Sequence, residues 1–398
     1  MKIAISGASG YIGKQLVKLL KSDTHKLLVI GRDKKKLKNI FPDLEACNYE
    51  EMENRISGFD IFINLTTMNN YEKQSFASFK RVNLDLSLWI LKKASKAKIE
   101  KIINFSSIHC LDKEKKDFYS SSKRELLEAI EKSNLNVTTL LLPAVYGTTF
   151  TGKMAFINYL PNTLRNITLL VIKSLKATVN ISLIYKVVIN ITKVNSPKKT
   201  ICSDDQNKNA IYKLWSKFID ISFVTTVLFL FWWVFLIIAF IIKFSSKNSS
   251  LYKQSRLGKN KQNFICYKFR TMALNTPELP THEVENSSVT KFGKFLRKYK
   301  LDELPQILNI IKGEMSLIGP RPCLESQDIL IKERIYRNIF KINPGITGLS
   351  VIQNIVMDTP IKLSELDEQY YKTRSISLDF IILVRTFLGF GFSDKTKK

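Results

Sequence analysis

Asp302 and Glu303 stand side by side just before Pro305, a residue favoured in the first turn of a helix, so the sequence predicts two carboxylates at a helix start. Adjacent residues cannot share one helical face, but at a helix start one carboxylate can attack while the other binds a divalent cation. A bare Asp-Glu pair before a proline can equally do no more than cap a helix. Downstream, Gly319-Pro320-Arg321-Pro322 fixes an arginine between two prolines, which reduces the backbone freedom lost when a guanidinium clamps a phosphate bidentately. A rigid turn with a solvent-facing arginine is the plain alternative. Lys268 and Arg270 lie one residue apart on a predicted strand, where both point to the same side and add positive charge over a diphosphate.

A second constellation lies near the N-terminus. Gly7-Ala8-Ser9-Gly10-Tyr11-Ile12-Gly13 separates an apolar strand from a helix. Gly7, Gly10 and Gly13 permit a tight turn and a close approach of backbone N–H groups to a pyrophosphate, which then sits at the positive end of the helix. Gly31-Arg32-Asp33 follows the second strand. An acidic residue there bonds the ribose 2′-OH of NAD, whereas an arginine accepts the 2′-phosphate of NADP. Both types are present, and Arg32, directly after the strand, favours NADPH over NADH; a solvated basic turn is the bland reading. Asn104-Phe105-Ser106-Ser107 ends a strand, and Tyr119-Ser-Ser-Ser-Lys123 opens a helix with Tyr119 and Lys123 one turn apart on one face. A lysine ammonium lowers a neighbouring phenol's pKa, and a serine hydroxyl can hold a substrate oxygen, so these three can pass a proton during hydride transfer.

The elements that must carry these residues alternate. Strands are predicted near Lys2–Ser6, Leu27–Ile30, Ile61–Leu65, Lys101–Phe105 and Val137–Leu142, with a helix from Tyr11 to Lys21, a pattern that argues for a parallel sheet covered by helices. Leu169–Thr192 is apolar and could add a last strand and helix. Asn195–Thr200 and Ser203–Asn209 are polar and turn-rich, as expected of a surface loop or linker. At 398 residues the chain suits two domains, placed at 1–210 and 213–398.

Ile221–Ile242 contains no charged residue, and with its flanks the segment 219–244 is long enough to enter a bilayer. Tyr212–Asp220 leads in with lysines among aromatic residues, as suits a helix arriving at a membrane surface. The formal charge of +27 demands an acidic partner. With a membrane element present it reads as attraction to an anionic lipid bilayer and phosphate ligands; nucleic-acid binding is not expected, since no recognised module appears. The five cysteines are far apart and show no metal or disulfide spacing, so buried or incidental thiols are expected. The start Met1-Lys2-Ile3 runs too quickly into the glycine turn for a secretory signal, which places the first domain in the cytoplasm. The tail Leu378–Phe392 carries only Asp379 and Arg385 as charges and reads as an interfacial helix, with a core helix as the competitor.

Two resemblances follow. Residues 1 to about 150 resemble the extended short-chain dehydrogenase/reductases, the NAD-dependent epimerase/dehydratases of nucleotide sugars, through the glycine turn, Asp60 before its strand, Asn83, the Ser-Ser strand end, YxxxK and Pro143-Ala-Val-Tyr-Gly147. The likeness implies Ser107, Tyr119 and Lys123 as the catalytic trio and adds Asp60 to the cofactor-binding set of Gly7, Gly10, Gly13, Arg32 and Asp33. The stretch after Gly147 is short for that family, which leaves a reduced substrate lobe.

From Gln254-Ser-Arg-Leu-Gly258 through Tyr267–Met272, Lys291–Arg297, Leu301–Gln306, Lys312–Pro322 and Asn343–Gly348, the second half resembles the bacterial sugar transferases, monotopic polyprenyl-phosphate phosphoglycosyl transferases. The likeness implies Asp302 as nucleophile on the β-phosphorus of a UDP-sugar. It implies Mg²⁺ held by Glu303 with Asp302, Asp367 as a neighbour of the metal, and Lys268, Arg270 and Arg321 on the substrate. The fold expected is therefore α/β, a Rossmann-like doubly wound parallel sheet, then a membrane-inserted re-entrant helix and a small α-rich transferase domain. The expected activity is bifunctional: a phosphosugar moves to polyprenyl (undecaprenyl) phosphate through an aspartyl intermediate with release of UMP, and the first domain reduces or epimerises a nucleotide sugar. A non-catalytic nucleotide-binding scaffold or sensor is the alternative for that domain. The expected location is the cytoplasmic face of the bacterial inner membrane. The sequence fits a homo-oligomer as well as a single chain.

Overall fold

A computed structural model describes residues 1–150, 152–193, 197–246, 249–272, 289–355 and 357–390. The chain divides into two compact units, Met1–Thr168 with Ala177–Asp204, and Leu169–Lys176 with Asp205–Lys398.

In the first unit, strands β1 (Lys2–Ser6), β2 (Lys26–Ile30), β3 (Glu45–Cys47), β4 (Ile61–Asn64), β5 (Lys101–Ser107), β6 (Val137–Leu142) and β9 (Lys199–Ile201) form one sheet in the order 3-2-1-4-5-6-9. Every pairing in it is parallel. Side chains alternate across the sheet, so Ile3, Ile5, Val29 and Ile63 join one core while Ala4, Leu28, Ile30 and Phe62 join the other. Burial on both faces explains why these strands read as continuous apolar runs. The expected Rossmann-like sheet is therefore present.

Two strands of this sheet escaped the sequence. β3 has three residues, too few for periodicity, and β9 lies partly in the segment expected to be a loop, where pairing with β6 overrides its polar, lysine-rich composition. The apolar 169–192 region holds the expected strand and helix: β8 (Thr178–Asn180), paired with β7 (Ala144–Tyr146), and a helix over Ile181–Lys193.

In the second unit a 37-residue helix, Ala210–Ser246, precedes an antiparallel hairpin of β10 (Leu251–Leu257) and β11 (Asn263–Phe269). Helices follow at Lys291–Lys298, Ile307–Ile311, Asp328–Tyr336, Pro360–Thr373 and Ile376–Phe387, with a short parallel pair β12 (Ser316–Ile318) and β13 (Gly345–Thr347) between them. The hairpin bend expected in the membrane element is absent: with no glycine or proline in the segment, Ala210–Ser246 continues as one helix. The tail forms the helix Ile376–Phe387, and the part of the tail beyond Phe390 lies outside the described residues. All five cysteines are buried and free.

Candidate active sites

The Gly7 turn sits at the carboxyl end of β1, where the strand order reverses between β1 and β4, the place at which doubly wound sheets bind ligands. Gly7 has φ +72°, and a Cβ there would lie 2.7 Å from the Leu65 carbonyl carbon. A Cβ on Gly13 would lie 2.5 Å from Ala8 O, so that glycine sets how closely the Tyr11–Ser22 helix approaches the turn. The backbone cradle thus fits a dinucleotide's pyrophosphate at the start of that helix. Arg32 is exposed just after β2, while Asp33 caps the next helix by accepting from Lys36 N at 2.9 Å. Asp60 is not brought to this turn. Its carboxylate accepts from Lys2 N at 2.7 Å, at the amino edge of the sheet, so β1's full length separates it from Gly7 and it acts to fasten the sheet edge.

Ser107 at the end of β5 and Tyr119 in the Phe118–Lys132 helix meet, with Lys123 one turn further on. Burial pushes the Tyr119 phenol up, and the Ser107 hydroxyl pulls it back only in part. The expected depression of the phenol by lysine is overridden by the phenol's own burial, with Cys110 and Asp117 pushing the same way; Lys123 is 1% exposed, and burial brings it down to about 8. Asn83 ties the helical segment Arg81–Leu86 to this region, accepting from Met68 N at 2.7 Å and donating to Ser122 Oγ at 3.1 Å.

In the second unit, Asp302 and Glu303 lie in a 3₁₀ turn over Leu301–Gln306, entered through Lys300 in the left-handed region at φ +56°. Both carboxylates are buried, at 8% and 9% exposure. Glu303 Oε1 accepts from Lys268 Nζ and from Arg321 Nη2, each at 2.8 Å. Burial opposes its ionisation, but Arg321 and Lys268 outweigh that and hold the Glu303 carboxyl far below the usual range. Asp302 goes the other way: burial and the adjacent Glu303 charge raise it. Its Oδ1 is buried and has no hydrogen-bond partner among the described residues, so it caps nothing. An orphaned carboxylate oxygen beside an ionised glutamate is a donor set that fits a hard divalent cation.

Gly319 and Gly345 let two loops touch backbone to backbone, since a Cβ on Gly345 would lie 2.0 Å from Gly319 N. That contact seats Arg321. Behind it stands Arg256, which the sequence motif contained without revealing its role: it is 8% exposed and donates through Nη1 to Pro322 O at 3.0 Å and through Nη2 to Gln254 Oε1 at 2.7 Å. Two expected site residues lie elsewhere. Arg270 follows the end of β11, where its Nε donates to Ser249 O at 3.1 Å and its guanidinium lies 5.9 Å from the ring centre of Tyr252, while Lys268 alone of the two bonds Glu303 among the described residues. Asp367 accepts from Arg334 at 2.7 Å through Oδ2 and from Ser350 at 3.2 Å through Oδ1, a buried structural pair with both oxygens engaged. A cavity of about 770 Å³ opens beside Glu303 and Arg321, and its walls are largely apolar, with Phe223, Leu304, Leu383 and Phe387 among them.

Residues 211–392 match the family described as bacterial sugar transferase, and residues 3–178 match the NAD dependent epimerase/dehydratase family. The exopolysaccharide production protein ExoY of Rhizobium meliloti (strain 1021) is 35% identical over 185 residues, which cover 42% of this chain and 81% of that protein. The UDP-N-acetylgalactosamine-undecaprenyl-phosphate N-acetylgalactosaminephosphotransferase of Aeromonas hydrophila is 37% identical over 195 residues, 46% of this chain and 45% of that protein, so the chain spans about half of that relative's length. Among solved structures, the Bordetella bronchiseptica enzyme WbmG in complex with NAD shares 18% identity at a TM-score of 0.41, covering 51% of this chain and 72% of that one. The chain belongs, through its C-terminal half, to the bacterial sugar transferase family, and its residues 3–178 match the model of the NAD dependent epimerase/dehydratase family.

Proposed function

We propose that the chain is a bifunctional membrane enzyme of surface-glycan biosynthesis, whose second unit transfers a phosphosugar from a UDP-sugar to polyprenyl phosphate. The observation that carries the transferase reading is Asp302 Oδ1, buried without a hydrogen-bond partner beside a Glu303 that Lys268 and Arg321 keep ionised. Asp302 attacks the β-phosphorus; the bond from that phosphorus to the bridging oxygen breaks, and UMP leaves with the electron pair. An oxygen of polyprenyl phosphate then attacks the aspartyl phosphosugar, freeing the carboxylate and giving polyprenyl-diphosphate-sugar. Such a double displacement splits one difficult step into two. Arg321 and Lys268 orient the diphosphate by charge-assisted hydrogen bonds. Asp302 and Glu303 would hold Mg²⁺, whose charge would offset that of the diphosphate. The apolar cavity beside Glu303 suits the acceptor's isoprenoid chain.

The first unit acts with a nicotinamide cofactor, NADPH in preference to NADH, on the nucleotide sugar that the second consumes. Tyr119 exchanges the proton at a sugar oxygen held by Ser107, with Lys123 one turn further along the same helix. The support is the glycine cradle together with the meeting of Ser107 and Tyr119. Incubating the full chain with a panel of UDP-sugars, NADPH and polyprenyl phosphate, then identifying products by mass spectrometry, tests both halves. No UMP release from any of them would sink the transferase reading.

The membrane element acts from one face, the cytoplasmic side of the inner membrane. Ile219 packs with Leu317 and Ile342, and Ile238 and Ile242 pack with Phe269 and Leu296, so both ends of the Ala210–Ser246 helix are fastened to the same folded unit. Between them Leu228–Trp233 is exposed throughout, Phe229 at 79%. Fastening both ends to one folded unit supports a placement of both on the same side of a hydrocarbon core about 30 Å thick. Cysteines introduced at Asn209 and Ser249 should both resist a membrane-impermeant reagent in intact cells; labelling of one alone means the helix spans.

A further inference from the structure

The carbonyls from Pro320 to Cys323 are all held. Pro320 O accepts from Gly345 N at 2.9 Å and Cys323 O from Leu257 N at 3.0 Å, so backbone amides pin the two ends. Arg321 O and Pro322 O, between them, are taken by side chains: Arg334 Nη1 donates to Arg321 O at 2.9 Å and Arg256 Nη1 to Pro322 O at 3.0 Å. Pro320 and Pro322 have no N–H to donate, so the carbonyls carry most of what fixes this stretch in place.

Arg334 sits where a charge is costly. It is 2% exposed, and a buried guanidinium is stable only with its charge balanced and its donors met. Asp367, 1% exposed, balances it: its Oδ2 accepts from Arg334 Nε at 3.1 Å and Nη2 at 2.7 Å, while Ser350 Oγ donates to its Oδ1 at 3.2 Å. Those bonds fix the plane of a rigid fork, and its remaining arm, Nη1, meets the carbonyl of the residue whose side chain reaches Glu303. Joining the Asp328–Tyr336 and Pro360–Thr373 helices takes only the bonds to Asp367; the bond to Arg321 O places the chain that carries the clamp.

We propose that Arg334, charge-balanced by Asp367, is a positioning residue that sets where Arg321 meets the donor diphosphate; this rests on the transferase reading of the Asp302 site. A carbonyl that loses its partner lets the Arg321 side chain shift with it, and a misplacement of about 1 Å costs up to about a hundredfold in rate.

The full chain in detergent is compared with Arg334→Met/Asp367→Leu, which removes both charges at similar volume and should unfold at nearly the unmodified temperature. UMP release is measured with polyprenyl phosphate and the most active UDP-sugar of a panel. The expected result is a KM for the UDP-sugar raised about tenfold or more in a stable chain, with little further loss when Arg321→Ala is added, because both changes act on one contact. An unmodified KM in the stable double variant, or a loss that adds in full to that of Arg321→Ala, overturns the proposal. If the double variant does not fold, Arg334→Lys keeps a charge beside Asp367 but lacks the fork, and the same two readings decide. No UMP from the unmodified chain sinks the transferase reading and the proposal with it, whereas UMP release that no Arg334 variant alters sinks the proposal alone.

Discussion

Arg321 Nη2 and Glu303 Oε1 lie 2.8 Å apart, so the arginine held between two prolines is already aimed at the carboxylate next to the proposed nucleophile. Lys268 reaches the same oxygen, and the pair of cations explains why two adjacent buried carboxylates titrate in opposite directions. Glu303 stays ionised between two cations. Asp302 keeps a buried oxygen with no hydrogen-bond partner among the described residues.

Asp302→Asn is therefore expected to lower phosphosugar transfer by about a thousandfold or more, since an amide is a far poorer nucleophile than a carboxylate. Glu303→Gln keeps the shape but leaves Lys268 and Arg321 without their anion, and should cost about a hundredfold in transfer and destabilise the unit by about 3 kcal/mol. UMP release and trapping of the phosphosugar adduct check both. A normal yield of adduct on the Asp302→Asn chain would overturn the nucleophile assignment.

Lys123 is fully buried, and burial lowers it from 10.5 to about 8. A lysine lowered in this way costs stability while charged, and stability rises with pH between about 8 and 10.5, where the unfolded chain still binds the proton. Lys123→Met should stabilise the first unit at neutral pH by about 1–3 kcal/mol and abolish the oxidoreductase activity proposed for it. Thermal unfolding and NADPH consumption measure the two effects. Loss of activity with loss of stability would mean that the lysine is structural.

What could be read from the sequence was local. Gly7–Gly13 and Tyr119–Lys123 lie within one turn or one helix, and short-range spacing fixes their relation. Asp302, Glu303 and Arg321 also announced themselves by composition, an acid pair before proline and an arginine between prolines. What stayed hidden depends on partners far away in sequence. Arg256 joins the surroundings of Glu303 and Arg321 only because Pro322 O, 66 residues on, receives its Nη1. Asp367 resembles a metal neighbour until Arg334 claims it, and Arg270 reads as a second cation beside Lys268 until Ser249 O and the Tyr252 ring engage it. Asp60 shows a different limit, because a strand start and a strand end look alike in sequence but lie at opposite edges of a sheet.

Arg32 stands exposed at the carboxyl end of β2 with Asp33 already occupied in capping a helix. NADPH should therefore bind more tightly than NADH, and Arg32→Ala should narrow the difference by about tenfold, the worth of one exposed charge-assisted contact of about 1.4 kcal/mol. Fluorescence titration of both cofactors reads it directly. Equal affinities in the unmodified chain count against the 2′-phosphate contact.

Asp379 provides a pH test of the second unit. Its carboxylate accepts from Tyr212 at 2.9 Å and Tyr370 at 3.0 Å; burial pushes it from 3.8 up to about 7, against the pull of those hydrogen bonds and of Arg374, and Asp220 adds to the rise. A carboxyl raised on folding contributes stability that is fully present below about 3.8 and is lost as pH climbs through about 7. At about 1.4 kcal/mol for each tenfold change in proton affinity, the loss amounts to a few kcal/mol. Asp379→Asn cannot ionise, so its stability should lack this contribution. The difference in unfolding free energy between the unmodified chain and the variant should shrink steadily from pH 4 to pH 7 in favour of the variant, whatever the other carboxylates contribute, because they cancel in the difference. A difference constant across that range would mean that Asp379 is not held protonated by burial, and that Tyr212 and Tyr370 bond an ionised carboxylate already at the acid end.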